Sequence, residues 1–242
     1  MRQIVPDVYL IEGLRVSNVY LLVSGEELTL VDSGVSGEAD QIAIELQEEG
    51  RGLSELRAIV LTHSHGDHTG NVAELAHRSG AQVLAHRDEV PYIEQAKPLP
   101  TASLLQRFVN WLGDQSLLKR SPCKVNRALE DGDVIQALGG IQVIHTPGHT
   151  PGSICLYQPE RRILFCGDTL FNKNPMTGKE GLQFPVPLAT VDMAQVRGSV
   201  RKLSALPVEV LCFGHGEPIL EGAGLRIHAL LGEKLERLLV HL

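Results

Sequence analysis

A chain of 242 residues is long enough to enclose a full hydrophobic core, as one large domain or two small ones, and one domain over 1–242 is the default reading. Lys and Arg number 22 against 29 Asp and Glu, a formal charge of −7 with no basic block, which argues against a sequence-independent grip on phosphodiester backbones; nucleic acid is not expected as a partner. No apolar stretch reaches about 18 residues, and the opening MRQIVPDVYLIEG lacks the pattern of a secretory signal, so no membrane association and a cytoplasmic location are expected.

In chain order, 3–11, 17–23 and 28–31 are rich in Val, Ile, Leu and Tyr and read as strands of a meander. Ala39, Ile42, Ala43 and Leu46 recur at helical spacing before Gly50, which predicts an amphipathic helix stopped there. A short apolar run at 58–62 predicts a buried strand, and Thr69 or Asn71 is a candidate cap for a helix with Val72, Leu75 and Ala76 inward. A strand at 81–86 precedes a proline-punctuated, lid-like insertion at 87–122 with a helix around LLQRFVNWL, of the kind that forms a binding wall. Strands are predicted near 133–137, 141–145, 153–157 and 162–166. A helix through Met193, Val196, Val200 and Leu203 follows, then the strand VEVLCF and a last helix carrying Leu231, Leu235, Leu238 and Leu242. The fold class is α/β, two sheets with helices outside. Cys123, Cys155, Cys166 and Cys212 have no close CxxC spacing and read as buried thiols.

The segment LTHSHGDHTGN places His63, His65, Asp67 and His68 within six positions after an apolar strand. Side chains alternate along an extended backbone, so His63 and His65 can clamp one ion while the turn carries Asp67 and His68 towards a second. Further ligand-type residues follow other predicted strands: His149 in HTPGHTPGS, Asp168 in ILFCGDTL and His215 in VLCFGHGEP. Imidazole suits Zn, Fe, Ni or Cu, and carboxylate oxygens keep Mn and Fe in play. His77, His86, His145, His228 and His241 read as surface or packing residues. There is no GxSxG elbow, no GxxxxGK[ST] loop and no GxGxxG fingerprint.

This constellation, running from VDSG at 31–34 through GHGEP at 214–218, resembles the metallo-β-lactamase superfamily, glyoxalase II-like or of an uncharacterised branch. The resemblance implies a four-layer αββα sandwich with a metal pair on one edge. His63, His65 and His149 would hold the first metal, Asp67, His68 and His215 the second, and Asp168 would bridge them, with Asp32 orienting the metal loop from behind. The expected cofactor is two divalent metal ions, Zn by preference with Mn or Fe as alternatives. Two metals about 3.5–4 Å apart share and ionise a water, so no protein nucleophile is required. The expected activity is hydrolysis of an ester, thioester or lactone by a metal-bridging hydroxide, with Asp67 as candidate proton donor. Alternatives are a mononuclear iron enzyme resembling persulfide dioxygenases and a non-catalytic sensor on the same fold. The expected partner is a small-molecule substrate. Phe171, Lys173 and Lys179 in the 171–187 loop are candidate substrate contacts, and Phe108, Trp111 and Leu112 a candidate apolar lid or homodimer contact.

Overall fold

In the computed structural model, the described residues are 1–95, 97–101, 104–105, 107–108 and 118–232. The first half builds a seven-stranded sheet in the order β1 (Arg2–Val5), β2 (Val8–Leu10), β3 (Tyr20–Ser24), β4 (Glu27–Val31), β5 (Leu56–Val60), β6 (Gln82–His86), β7 (Arg127–Leu129). The expected strand at 3–11 is a hairpin instead. Pro6 lacks a backbone donor, and Asp7 adopts a left-handed φ of 63°, which turns the chain. Neighbouring strands are antiparallel up to β4 and parallel from β4 to β7. The short β7 carries no alternating pattern, so periodicity does not predict it.

Helices α1 (Ala39–Glu48), α2 (Gly66–Thr69), α3 (Val72–Ser79) and α4 (Val90–Glu94) are interleaved with this sheet. Asn71 does stand at the N-cap of α3, but its side chain makes no capping bond. It turns away to donate to the Ser33 and Val35 carbonyls and accept from the Glu38 N–H at 2.9 Å, tying the loop after β4 to the metal-type loop after β5.

The second half forms a five-stranded sheet from β8 (Val134–Ile135), β9 (Ile141–His145), β10 (Ile154–Gln158), β11 (Ile163–Phe165) and β14 (Val210–Cys212), with β14 at the edge beside β11. β12 (Phe171–Lys173) and β13 (Glu180–Gln183) make a separate hairpin within the stretch expected to be a loop. Helix α5 (Met193–Ser204) follows, then α6 (Ala223–Leu230) after β14. The helix predicted through Leu231, Leu235, Leu238 and Leu242 follows α6 in the chain, and Leu235, Leu238 and Leu242 lie outside the described residues, as do Trp111 and Leu112.

The period-2 alternation of β3 shows how the layers form. Tyr20 and Leu22 face the other sheet, packing with Leu156, Phe165 and Cys212, while Leu21 faces outwards to meet Ile42 and Leu46 of α1. A third core joins Leu164 and Leu211 of the second sheet to Val196, Val200 and Ile227 of α5 and α6. The result is helices, sheet, sheet, helices, with both sheets mixed. Between the sheets Tyr20 and Phe165 meet edge-on, ring centroids 5.4 Å apart, and the Tyr20 hydroxyl donates to the Phe213 carbonyl while accepting from its N–H. No described helix is long and apolar enough to cross a membrane.

Candidate metal centre

Strands β4 and β5 run parallel, as do β11 and β14, and β9 shares the direction of β11 because both are antiparallel to β10. Asp32, His63, His149, Asp168 and His215 all follow the C-terminal ends of such strands, which brings them to one edge of the sandwich. His65 lies on extended backbone at the start of the short helix α2, which then carries Asp67 and His68 inward.

Ligand-type atoms of His63, His65 and His149 lie within 4.8 Å of one another, as do those of Asp67, His68 and His215, and those of His63, His68 and Asp168. The Asp168 carboxylate stands between the groups. Its Oδ2 is 3.3 Å from His149 Nε2, 3.3 Å from His215 Nε2 and 3.8 Å from His63 Nε2, while Oδ1 is 3.4 Å from His68 Nε2. His65 Nδ1 lies 2.9 Å from His149 Nε2, and Asp67 Oδ2 3.3 Å from His215 Nε2.

The far sides of four of the rings are anchored. His68 Nδ1 donates to Asp32 Oδ2 at 2.8 Å, and His215 Nδ1 to the Val16 carbonyl at 3.2 Å. His149 Nδ1 is 3.2 Å from the Thr190 hydroxyl, which itself donates to the Val186 carbonyl. Asp32 accepts from the Thr62 N–H and hydroxyl, and that hydroxyl lies 3.1 Å from His63 Nδ1. These partners fix the tautomer that leaves Nε2 of His63, His68, His149 and His215 facing the shared space, as the outer contacts of metal-binding imidazoles do.

His63 Nε2, His68 Nε2 and Asp168 Oδ1 are buried with no hydrogen-bond partner. Burying lone pairs without partners is costly, and a cation shared among them supplies what the protein alone does not. The donor set, imidazole nitrogen with two carboxylates, fits a pair of first-row divalent ions.

Burial, reinforced by the neighbouring imidazoles, holds the proton affinity of His63 well below normal and that of His65 down at about 3. For His68 and His215 burial acts the same way but is outweighed by Asp168 and its neighbouring carboxylates, which push His68 well up and His215 to about 10. Burial would raise the carboxyls of Asp67 and Asp168; the surrounding histidines overcome it and keep both ionised.

Above the cluster opens a cavity of about 780 Å³. His65, Asp67, His149, Asp168 and His215 form its floor, and Val16, Leu99, Leu118, Met176 and Val186 supply apolar walls. Phe171 lines it too, its ring 5.1 Å from that of His215. Lys173 and Lys179 lie on the β12–β13 hairpin and its turn and are not among the lining residues; the lining cations are Arg107 and Arg120, from the 87–122 insertion. Phe108 is more than half exposed, at 57%, and does not line the cavity. Arg107 falls in the helix predicted around LLQRFVNWL and Arg120 in an irregular stretch, and nothing in either pattern singles out a lone arginine.

His86 and His145, read as surface or packing residues, are stacked, centroids 4.0 Å apart and planes at 12°, with Asp88 beside them. Lone pairs of parallel rings lie in separate planes and do not converge on one ion, so this pair is a packing contact in the geometry observed.

The model of the metallo-β-lactamase superfamily matches residues 13–215, and the chain belongs to that superfamily. It is 29% identical over 225 residues to YflN of Bacillus subtilis (strain 168), a protein named as a probable metallo-hydrolase, covering 85% of this chain and 83% of that one. It is 34% identical over 154 residues to a hydroxyacylglutathione hydrolase of Pseudomonas aeruginosa, which takes in 63% of this chain but 44% of the relative. Among solved structures, a metallo-β-lactamase family protein of Thermus thermophilus superposes with a TM-score of 0.73 at 23% identity, over 98% of this chain and 82% of that one. BJP-1, a subclass B3 metallo-β-lactamase of Bradyrhizobium japonicum, gives 0.69 at 22% over 99% and 93%. Both likenesses are of fold.

Proposed function

We propose that the protein is a dinuclear metal-dependent hydrolase of small esters, thioesters or lactones. The observation that carries this reading is the meeting of two three-residue ligand groups around Asp168, with one imidazole nitrogen of each group and one Asp168 oxygen buried and unpartnered. His63, His65 and His149 would hold one cation, Asp67, His68 and His215 the other, and Asp168 would touch both; zinc is the ion this donor set suits best. A bound pair of this kind acidifies a water to near neutrality and polarises a carbonyl oxygen.

The chain's own residues set the rest. The apolar walls exclude bulk water and seat an acyl group, and Phe171 presses against the His215 ring that faces the reacting end. Asp67, with 15% of its side chain exposed, is the carboxylate of the cluster most open to the cavity; being ionised, it would take up the proton released by the attacking water and hand it to the departing oxygen or sulfur. The relatives named as a metallo-hydrolase and a hydroxyacylglutathione hydrolase support hydrolysis, the latter a thioester substrate.

The test is metal analysis of the purified protein beside a panel of esters, thioesters, lactones, phosphodiesters and β-lactams, each assayed with Zn, Mn and Fe. Near two metals per chain and turnover of a carbonyl ester, thioester or lactone are expected. Full activity in the metal-free protein, or one iron with oxygen uptake on a persulfide, would overturn the reading.

A further inference from the structure

One buried acid is not accounted for by the metal cluster. Glu89 is fully buried at the start of α4, yet its chain runs back from the helix towards the two loops that carry the first ligand group. Oε1 accepts the Gly152 N–H at 2.6 Å. Oε2 has no hydrogen bond, and neither has the Ser64 hydroxyl, which is equally buried. The two belong together: Ser64, through hydroxyl and backbone N–H, and Thr150 both act on the Glu89 carboxyl and favour its ionised form, against the larger opposing effect of burial.

The positions of these contacts matter more than their number. Ser64 lies between His63 and His65, while Thr150 and Gly152 flank the other side of the same group, just past His149. Those loops come from different sheets, and Glu89 belongs to neither. The approach is close enough to require glycine: a Cβ on Gly152 would stand 2.8 Å from the Glu89 nitrogen, 2.9 Å from its Cγ and 3.0 Å from His86 Nδ1. This also explains the second glycine of HTPGHTPGS, which no ligand role requires.

We infer that Glu89 is a positioning residue that clamps the His63–His65 loop to the His149 loop and thereby sets the metal affinity of the first site, leaving the second untouched. The second group is braced elsewhere, by Asp32 on His68 and Val16 on His215. The inference rests on the metal-site reading above, but it concerns binding and does not depend on which substrate is turned over.

The experiment is titration of chelator-stripped full-length protein with Co(II), followed by its visible absorption, and with Zn(II) against a competing chelator. The first site is isolated in a His215→Ala background and the second in a His149→Ala background. Glu89→Ala is expected to weaken the first site about 10- to 100-fold, the range for loss of an outer-shell partner, and to alter its cobalt spectrum, with the second site unchanged. Glu89→Gln, which keeps an oxygen for the Gly152 N–H and offers an amide donor to Ser64, is expected to restore most of that affinity. Ser64→Ala, a smaller change that leaves the Gly152 bond in place, should give a weaker loss confined to the first site, and it decides the matter if Glu89→Ala does not fold. Equal losses at both sites, or unchanged affinity at the first in Glu89→Ala or, failing that variant, Ser64→Ala, would overturn the inference. If the parent protein binds two metals and hydrolyses its substrate while these variants bind normally, only the inference falls; if the parent binds none, the hydrolase reading falls with it.

Discussion

Asp32 Oδ2 accepts a hydrogen bond from His68 Nδ1 at 2.8 Å, and the same carboxylate holds the Thr62 hydroxyl that stands against His63 Nδ1. One buried acid thus orients an imidazole in each of the two ligand groups. Asp32 holds a left-handed φ of 65°, a conformation that side chains other than glycine's seldom adopt though aspartate tolerates it better than most. That backbone turn swings the carboxylate under the loop after β5.

Asp32→Ala should therefore weaken both metals, each by about 10- to 100-fold, since an outer-shell partner is removed from each site. Zinc titration against a competing chelator reads this. A loss confined to the site containing His68 would show that the route through Thr62 carries nothing.

Metal uptake should release protons from one site and not the other. In the metal-free protein His65 has its proton affinity lowered to about 3 and is already neutral at pH 7, whereas His215, raised to about 10, is still charged. A metal entering beside His215 must displace that proton, so affinity of the Asp67, His68 and His215 group should rise as pH goes from 7 towards 10 while the His63, His65 and His149 group stays nearly level. Calorimetry in buffers of different ionisation enthalpy counts the protons; equal release from both groups would contradict the assignment.

The same values set the pH dependence of the stripped protein's stability. The raised affinity of His215 stabilises the fold below about pH 6.5, and that contribution is lost as pH climbs through about 10. His65, lowered to about 3, acts in the opposite sense, so stability falls as the solution is acidified from about 6.5 towards 3. Urea unfolding of metal-free protein should show a maximum between these limits.

Gly214→Ala should cost the protein at least one metal. A Cβ there would sit 2.2 Å from Asp168 Oδ1 and 2.7 Å from His68 Cε1, displacing the shared carboxylate and a ligand of the second group. Loss of hydrolysis together with at least one metal is expected; a variant with both metals and normal turnover would refute the close packing described.

Tyr20→Phe should cost about 1–3 kcal/mol in urea unfolding, because the Phe213 N–H between the sheets loses its partner and the Phe213 carbonyl is left with the Asn18 amide alone, while the ring's packing on Phe165 survives.

Much of this was legible from residues alone, and unevenly so. The αββα layering follows from runs such as 58–62 and from the helical spacing of Ala39, Ile42 and Leu46, because burial on one face leaves a strong periodic trace. The candidate ligands that the fold brings together stood out because His and Asp just past apolar strands have no packing purpose. Asn71 shows the opposite: its type marks a cap, yet three tertiary hydrogen bonds outcompeted the helix end. Glu89 and Arg120 were invisible, since a lone acid or base in an irregular stretch looks solvated until the fold closes over it. Lys173 and Lys179 were nominated on charge and chain proximity, neither of which encodes which way a hairpin faces.

The candidate ligands come from two separate sheets: His63, His65, Asp67 and His68 hang from the first, His149, Asp168 and His215 from the second. Any cation held between them works as a rivet across the sandwich seam. Because an ion that binds only the native state shifts the unfolding equilibrium by mass action, the melting temperature should track free metal concentration, and a chelator should loosen the halves before it exposes either one's own core.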